Sequence, residues 1–238
     1  DRDMNIRGFD VVPDDPKSIR HILLAVASAD VKDQAWPTTG TLDGKASRFI
    51  GAWAPGYPAF RLPDGVSLRV KQGERLVAQV LYQTSGRAID SGFRIGLYQS
   101  KGEGGREAYW VSREAKEFRI HAYSSLTVST TVVLERDVEL LAVVPEARFF
   151  AYVIDVQAKS GSGAKTLLQT VKWSPYWNGS LVFPTPVPLS KGTEIVSSTV
   201  YENELHSPIN EGLRPRLVHS GPGLDQEVCR THYLVVDR

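Results

Sequence analysis

Five histidines and one cysteine are the side chains best suited to hold a metal or attack a substrate, and their spacing builds no local site. His21, His121, His206, His219 and His232 contain no HxH or HxxxH pair, so a chelate would need several distant segments to converge. Each lone histidine therefore reads first as a surface or hydrogen-bonded structural residue. Cys229 lies near His232, but a single thiol among strand-like residues reads as a small buried apolar group rather than a nucleophile. One cysteine also excludes an internal disulfide and any cysteine-clustered zinc or iron–sulfur centre. There is no P-loop, no dinucleotide-binding glycine fingerprint, no nucleophile elbow and no HExxH, so four large enzyme classes lose their usual support. Asn178-Gly179-Ser180 matches a glycosylation acceptor, yet Asn-Gly is first of all a tight turn. Trp173, Tyr176 and Trp177 could stack on a sugar ring; core packing is the simpler expectation for large aromatics.

Strands must position these groups. Leu126, Val128, Thr130, Val132 and Leu134 alternate with Thr127, Ser129 and Thr131, a period of two, and the pattern returns at 118–123 and 231–235. Turn signals at Pro13-Asp14-Asp15-Pro16, Gly102 to Gly105, Ser160 to Gly163 and Lys191-Gly192 separate the runs, and no amphipathic helix of three turns is found. The chain is long enough, at 238 residues with 42% hydrophobic content, for two cores. The polar run Ser112 to Glu117 breaks the alternation, which divides the chain into β-sandwiches at 1–113 and 114–238. Pro184-Thr185-Pro186-Val187-Pro188 could be a polyproline ligand, and reads more simply as an extended connection into the next strand.

The charges, 28 basic against 27 acidic, sum to +1, so no long-range field favours nucleic acid or an anionic membrane surface. No window approaches the roughly 18 apolar residues of a membrane span. The start at Asp1, without an initiating Met, carries an expectation of a removed leader or a further segment upstream, and with it of export to the periplasm.

Three stretches carry a specific resemblance: Gly8-Phe9-Asp10 through Leu23, Gly51-Ala52-Trp53-Ala54-Pro55-Gly56 through Tyr82, and Val138-Glu139-Leu140-Leu141 through Pro145. With Trp173 to Trp177 and Leu189 to Ile195, they resemble the bacterial branch of the copper type II, ascorbate-dependent monooxygenases, relatives of peptidylglycine and dopamine hydroxylases. The resemblance covers nearly the whole chain and implies two tandem jelly-roll antiparallel β-sandwiches facing a cleft, in agreement with the all-β period. It also implies one copper per domain, and the ligand positions depart from that pattern. The adjacent histidines of the first copper fall on Arg20 and His21, and its third ligand falls on Leu81. The HxH of the second falls on Glu146 and Arg148 after Pro145, and its methionine falls on Val228 before Cys229. One of six ligands survives as an imidazole; alkyl and guanidinium groups do not coordinate metal. Arg20 and Arg148 would place permanent cations where metal sits in the family, with Glu146 neutralising one of them.

The expectation is therefore a catalytically inactive relative that binds no copper. It would serve as a structural or interaction subunit on the extracytoplasmic face of a larger assembly, such as a membrane-bound respiratory or photosynthetic complex, with protein partners. Two alternatives stand: a copper monooxygenase with ligands relocated among the five histidines, and carbohydrate or peptide binding in the cleft between the sandwiches.

Overall fold

The computed structural model describes residues 3–32, 46–83, 86–88, 90–100, 105–161, 163–223 and 225–238. Among the described residues the alternation read from sequence becomes seventeen strands: β1 (Met4–Pro13), β2 (Ile19–Ala27), β3 (Ala46–Trp53), β4 (Phe60–Arg61), β5 (Val66–Val70), β6 (Arg75–Tyr82), β7 (Phe93–Gln99), β8 (Arg106–Glu114), β9 (Arg119–Ile120), β10 (Ser124–Val133), β11 (Val138–Glu146), β12 (Ala151–Ser160), β13 (Gly163–Val171), β14 (Leu181–Leu189), β15 (Glu194–Asn203), β16 (Val218–His219) and β17 (Arg230–Asp237). The helical elements among the described residues are two single 3-10 turns, Pro175–Trp177 and Pro208–Asn210, and no helix is long and apolar enough to cross a membrane. The glycine turn at 102–104 and Ser162 lie outside the described residues.

The C-terminal strands pair in nested fashion: β12 with β13, β11 with β14, β10 with β15, and β17 with β8. This nesting is what results when one long hairpin is rolled into two sheets, here β14-β11-β17-β8 facing β10-β15-β12-β13, and it defines a jelly roll. Ile120, Val143, Ile154, Ile195, Tyr201 and Tyr233 fill its core. The N-terminal strands form a second sandwich in which β1 pairs with β7 and β2 with β6, again first with last. Its core holds Ile6, Phe9, Ile22, Phe60 and Leu68.

The two sandwiches are joined through backbone as well as side chains. β5 meets β8 in a short parallel pairing, Val66 with Arg106 and Ser67 with Glu107, so one sheet runs from β14 to β4. The 113/114 division read from sequence falls at the end of β8, which pairs over seven residues with β17. β2 explains why its sequence is apolar without alternation: both faces are covered. Ile22, Leu24 and Val26 face the N-terminal core, whereas Leu23 packs with Phe49 and Ala52 of β3 against Val144 of β11. The proline-rich stretch is itself part of β14, an outer strand of the large sheet, where a missing N–H costs no ladder bond on the open side.

Candidate functional site

A polar cluster lies on the face of the large sheet that looks toward β2 and β3. The register sets Ser112, His232 and Val144 side by side across β8, β17 and β11, and Glu114, Arg230 and Glu146 one pleat further on. Because side chains alternate, all six point the same way. Ser112 Oγ is 2.6 Å from His232 Nδ1, and His232 Nε2 is 2.9 Å from Glu146 Oε1. Arg230 completes the set, donating to Glu146 at 3.1 Å and to Glu114 at 2.8 Å. Burial alone would raise the Glu146 carboxyl; His232 and then Arg230 outweigh it and hold the acid at about 2. Phe49 of β3 lies flat on the His232 ring at 4.2 Å, and Trp110 meets the same ring edge-on.

Hydroxyl, imidazole and carboxylate in a row is the connectivity of an activated serine. A depression of about 240 Å³ is lined by Glu114, Ala115, Lys116, Ser220 to Pro222 and Glu227, and Ser112 is not part of its lining. With one ring face under Phe49 and both nitrogens bonded, His232 is a buried imidazole whose polar needs are met within the interface.

The positions that the resemblance assigns to the first copper sit at the start of β2. His21 and Leu81 are direct cross-strand neighbours on β2 and β6, and Arg20 occupies the register irregularity just before them. Arg20 turns to the other sandwich and stacks its guanidinium on Tyr176, 4.1 Å from the ring centre. His21 is 8% exposed, and its Nδ1 is buried without a hydrogen-bond partner. Desolvation brings the imidazole down to about 4, against the attraction of Glu146 and a hydrogen bond to the Pro175 backbone.

Two residues of the second set, Arg148 and Val228, gather around Glu227. This fully buried carboxyl accepts from the backbone N–H of Arg148 at 2.5 Å, Val228 at 2.8 Å and Phe150 at 3.0 Å. Burial nonetheless pushes it up to about 7. The Arg148 guanidinium donates to the carbonyls of Pro222, Gly223 and Gln226, so this cation fastens the 222–226 loop. The sequence reads Glu146 as neutralising one of the two arginines, and its charge does act on Arg148; its direct partners, Arg230 and His232, sequence reasoning missed. Their only prior signal was position on an alternating strand, since 84 and 86 residues separate them from Glu146.

These donors do not fit a copper ion. Around His21 there is an alkyl neighbour and a stacked guanidinium; around Glu146 one oxygen accepts from Arg230 and the other lies 2.9 Å from His232 Nε2. His121, His206 and His219 are exposed, and among the described residues no three of His, Cys, Asp or Glu gather as a metal site. Cys229 is buried, and burial pushes its thiol up. Asn178 is buried at the end of the Pro175–Trp177 turn, a poor acceptor for a glycan. Trp173 is in the core with its indole N–H on the Ala147 carbonyl, whereas Tyr176 and Trp177, expected to pack inside, are 38% and 47% exposed.

No protein family matches the chain, and no curated protein does. Among solved structures, it is similar to the infectious bursal disease virus VP2 subviral particle, at 6% identity and a TM-score of 0.27 over 99% of this chain and 56% of that one. A second is a triple jelly-roll protein of an archaeal virus turret assembly, at 9% identity and a TM-score of 0.28 over 99% of this chain and 59% of that one. The chain thus spans less than three fifths of the length of these proteins.

Proposed function

We propose that the protein is a non-enzymatic structural or interaction module, related to the copper type II monooxygenases, that works without copper as a subunit of a larger extracytoplasmic assembly. The observation that supports this reading is the ion-pair and hydrogen-bond network at two of the resembling ligand positions. Glu146 is committed to Arg230 and His232, and Arg148 to three loop carbonyls. Arg20, Glu146 and Arg148 do structural work that a metal-binding side chain in the same place would have to give up. A scaffold keeps its fold when its chemistry is lost, because chemistry resides in the site. Bonds that cross the seam between the sandwiches support the same reading: Tyr57 donates to the Trp177 carbonyl at 3.0 Å, and Ser180 and Ala52 bond each other at 2.9 Å.

The test is metal analysis of the protein purified natively and again after incubation with excess Cu(I) and desalting, together with size measurement of the native species from its source. Copper well below one per chain in both samples, with the chain travelling in a defined assembly of fixed stoichiometry, is the expected result. Retention of about two coppers per chain would overturn the reading and restore a monooxygenase with relocated ligands.

A further inference from the structure

His232 and Glu146 are buried, whereas Ser112 is exposed, so the hydroxyl is the member of their row that meets solvent. The chemistry of the partners gives the row a direction. A carboxylate only accepts, so the hydrogen of a neutral His232 ring sits on Nε2, 2.9 Å from Glu146 Oε1, and Nδ1 keeps its lone pair. That lone pair faces Ser112 Oγ at 2.6 Å and accepts its O–H. The ring is clamped: Phe49 lies flat on it, Trp110 meets it edge-on, and Arg230 holds the second oxygen of Glu146 at 3.1 Å. A base fixed in tautomer and orientation is what turns a serine hydroxyl into a nucleophile.

The backbone supplies a further group. Ala115 N–H donates to the Cys229 carbonyl at 2.9 Å, and the unbroken register of β8 with β17 carries that alternation back along the strand. Arg113 and Val111 therefore bond β17, whereas Ser112 and His232 form the closer, non-bonded kind of cross-strand pair, with the Ser112 N–H turned to the other edge of β8. Arg106 shows the same phase: on that edge its N–H donates to the Gly65 carbonyl at 2.8 Å. The pairing with β5 ends at Glu107, and among the described residues the Ser112 N–H has no partner. The Ser112 carbonyl, by contrast, accepts from Arg113 at 3.2 Å. A free N–H on the nucleophile's own residue can donate to the oxygen of a carbonyl under attack.

We propose that Ser112 is a nucleophilic serine that takes the acyl group of small activated esters. Its Oγ bonds to the ester carbonyl carbon while its proton passes to His232 Nδ1. The charge that develops on the carbonyl oxygen is met by the Ser112 N–H. Collapse breaks the bond to the leaving oxygen, which takes the proton from His232, so the products are an acyl-serine and an alcohol or phenol. The depression lined by Glu114 does not include Ser112, which favours a small acyl donor over one that needs a chamber. This goes beyond the structural reading above and does not depend on the loss of copper sites.

The test is incubation of the whole protein with p-nitrophenyl acetate, with p-nitrophenol followed by absorbance and the acetylated residue located by mass spectrometry of the intact chain and its peptides. The expected result is a burst of about one equivalent of p-nitrophenol per chain, with the acetyl group on Ser112. Ser112→Ala should abolish the burst while melting as the wild type does, since the side chain it shortens is exposed. His232→Gln should slow the burst by about a hundredfold or more, and Glu146→Gln by about tenfold or more, because the ring then loses its fixed tautomer. These two side chains are buried, so if either variant fails to fold, Ser112→Ala decides alone. Three outcomes overturn the proposal: no burst, acetyl groups confined to lysines, or a burst undiminished in Ser112→Ala. Sustained turnover that Ser112→Ala abolishes would uphold the nucleophile and overturn the non-enzymatic reading instead.

Discussion

A neutral histidine held between two sheets makes stability depend on pH. His21 titrates at about 4 in the folded protein against an ordinary 6.5, so between these values the unfolded chain binds more protons. The stability His21 contributes is complete above 6.5 and is lost as pH falls through 4. Glu227 works in the opposite sense: its folded value of about 7 lies above the ordinary 4.5, so its contribution is present below 4.5 and is lost as pH rises through 7. The two slopes oppose each other over the shared window. Removing one should expose the other. In urea titrations at pH 7 and pH 4.5, His21→Gln should lose less stability on acidification than the wild type, by on the order of 3 kcal/mol for a shift of this size. An equal loss in both proteins would mean that His21 is not buried as a neutral group. Glu146, held at about 2, adds acid sensitivity only below 4.5, so it leaves that comparison almost untouched.

Strand contacts in the N-terminal sandwich depend on a residue without a side chain. Gly8 lies opposite Arg61 where β1 meets β4, and a Cβ there would come 2.1 Å from the Phe60 carbonyl oxygen. Backbone cannot give way as a flexible side chain can. Gly8→Ala should therefore cost about 2–3 kcal/mol by overpacking and lower the melting temperature by about 5 °C or more. Gly96, on β7 across from Asp10, has open space where its Cβ would be, and Gly96→Ala should be neutral or slightly stabilising by restricting the unfolded chain. Thermal melts of the two variants side by side test the register of β1 from both edges. The same strand logic places prolines in β14: an outer strand accepts them, and the large sheet continues through β11 to β17.

For the molecule as a whole, the seam between the sandwiches is core. Leu141, Ala142, Leu234 and Val236 of the C-terminal strands pack in one cluster with Ile22, Leu24 and Ile50 of the N-terminal ones, and Trp110 donates to the Ile50 carbonyl at 3.0 Å. Neither sandwich buries its apolar surface alone. Calorimetry should show one transition whose calorimetric and van't Hoff enthalpies agree. Two separated transitions would mean that the seam is an interface between independent domains.

Alternation along each run made strands legible from sequence, because whether successive side chains point to opposite faces is a local property of extended backbone. The all-β class and the lack of a contiguous catalytic motif follow from such local facts, as does the exclusion of a disulfide framework. What lay beyond reach was which strands lie side by side. Glu146 meets Arg230 and His232 only because β11 pairs with β17, and Ser112 joins them because β8 pairs with β17 on its other edge, 120 residues away in sequence from His232. Tyr176 and Trp177 read as core by type; the turn that carries them ends at the surface, against Arg20 of the other sandwich. Residue type and spacing determined what each segment could become, whereas the polar cluster exists only through long-range pairing, whose register depends on the packing of every strand at once.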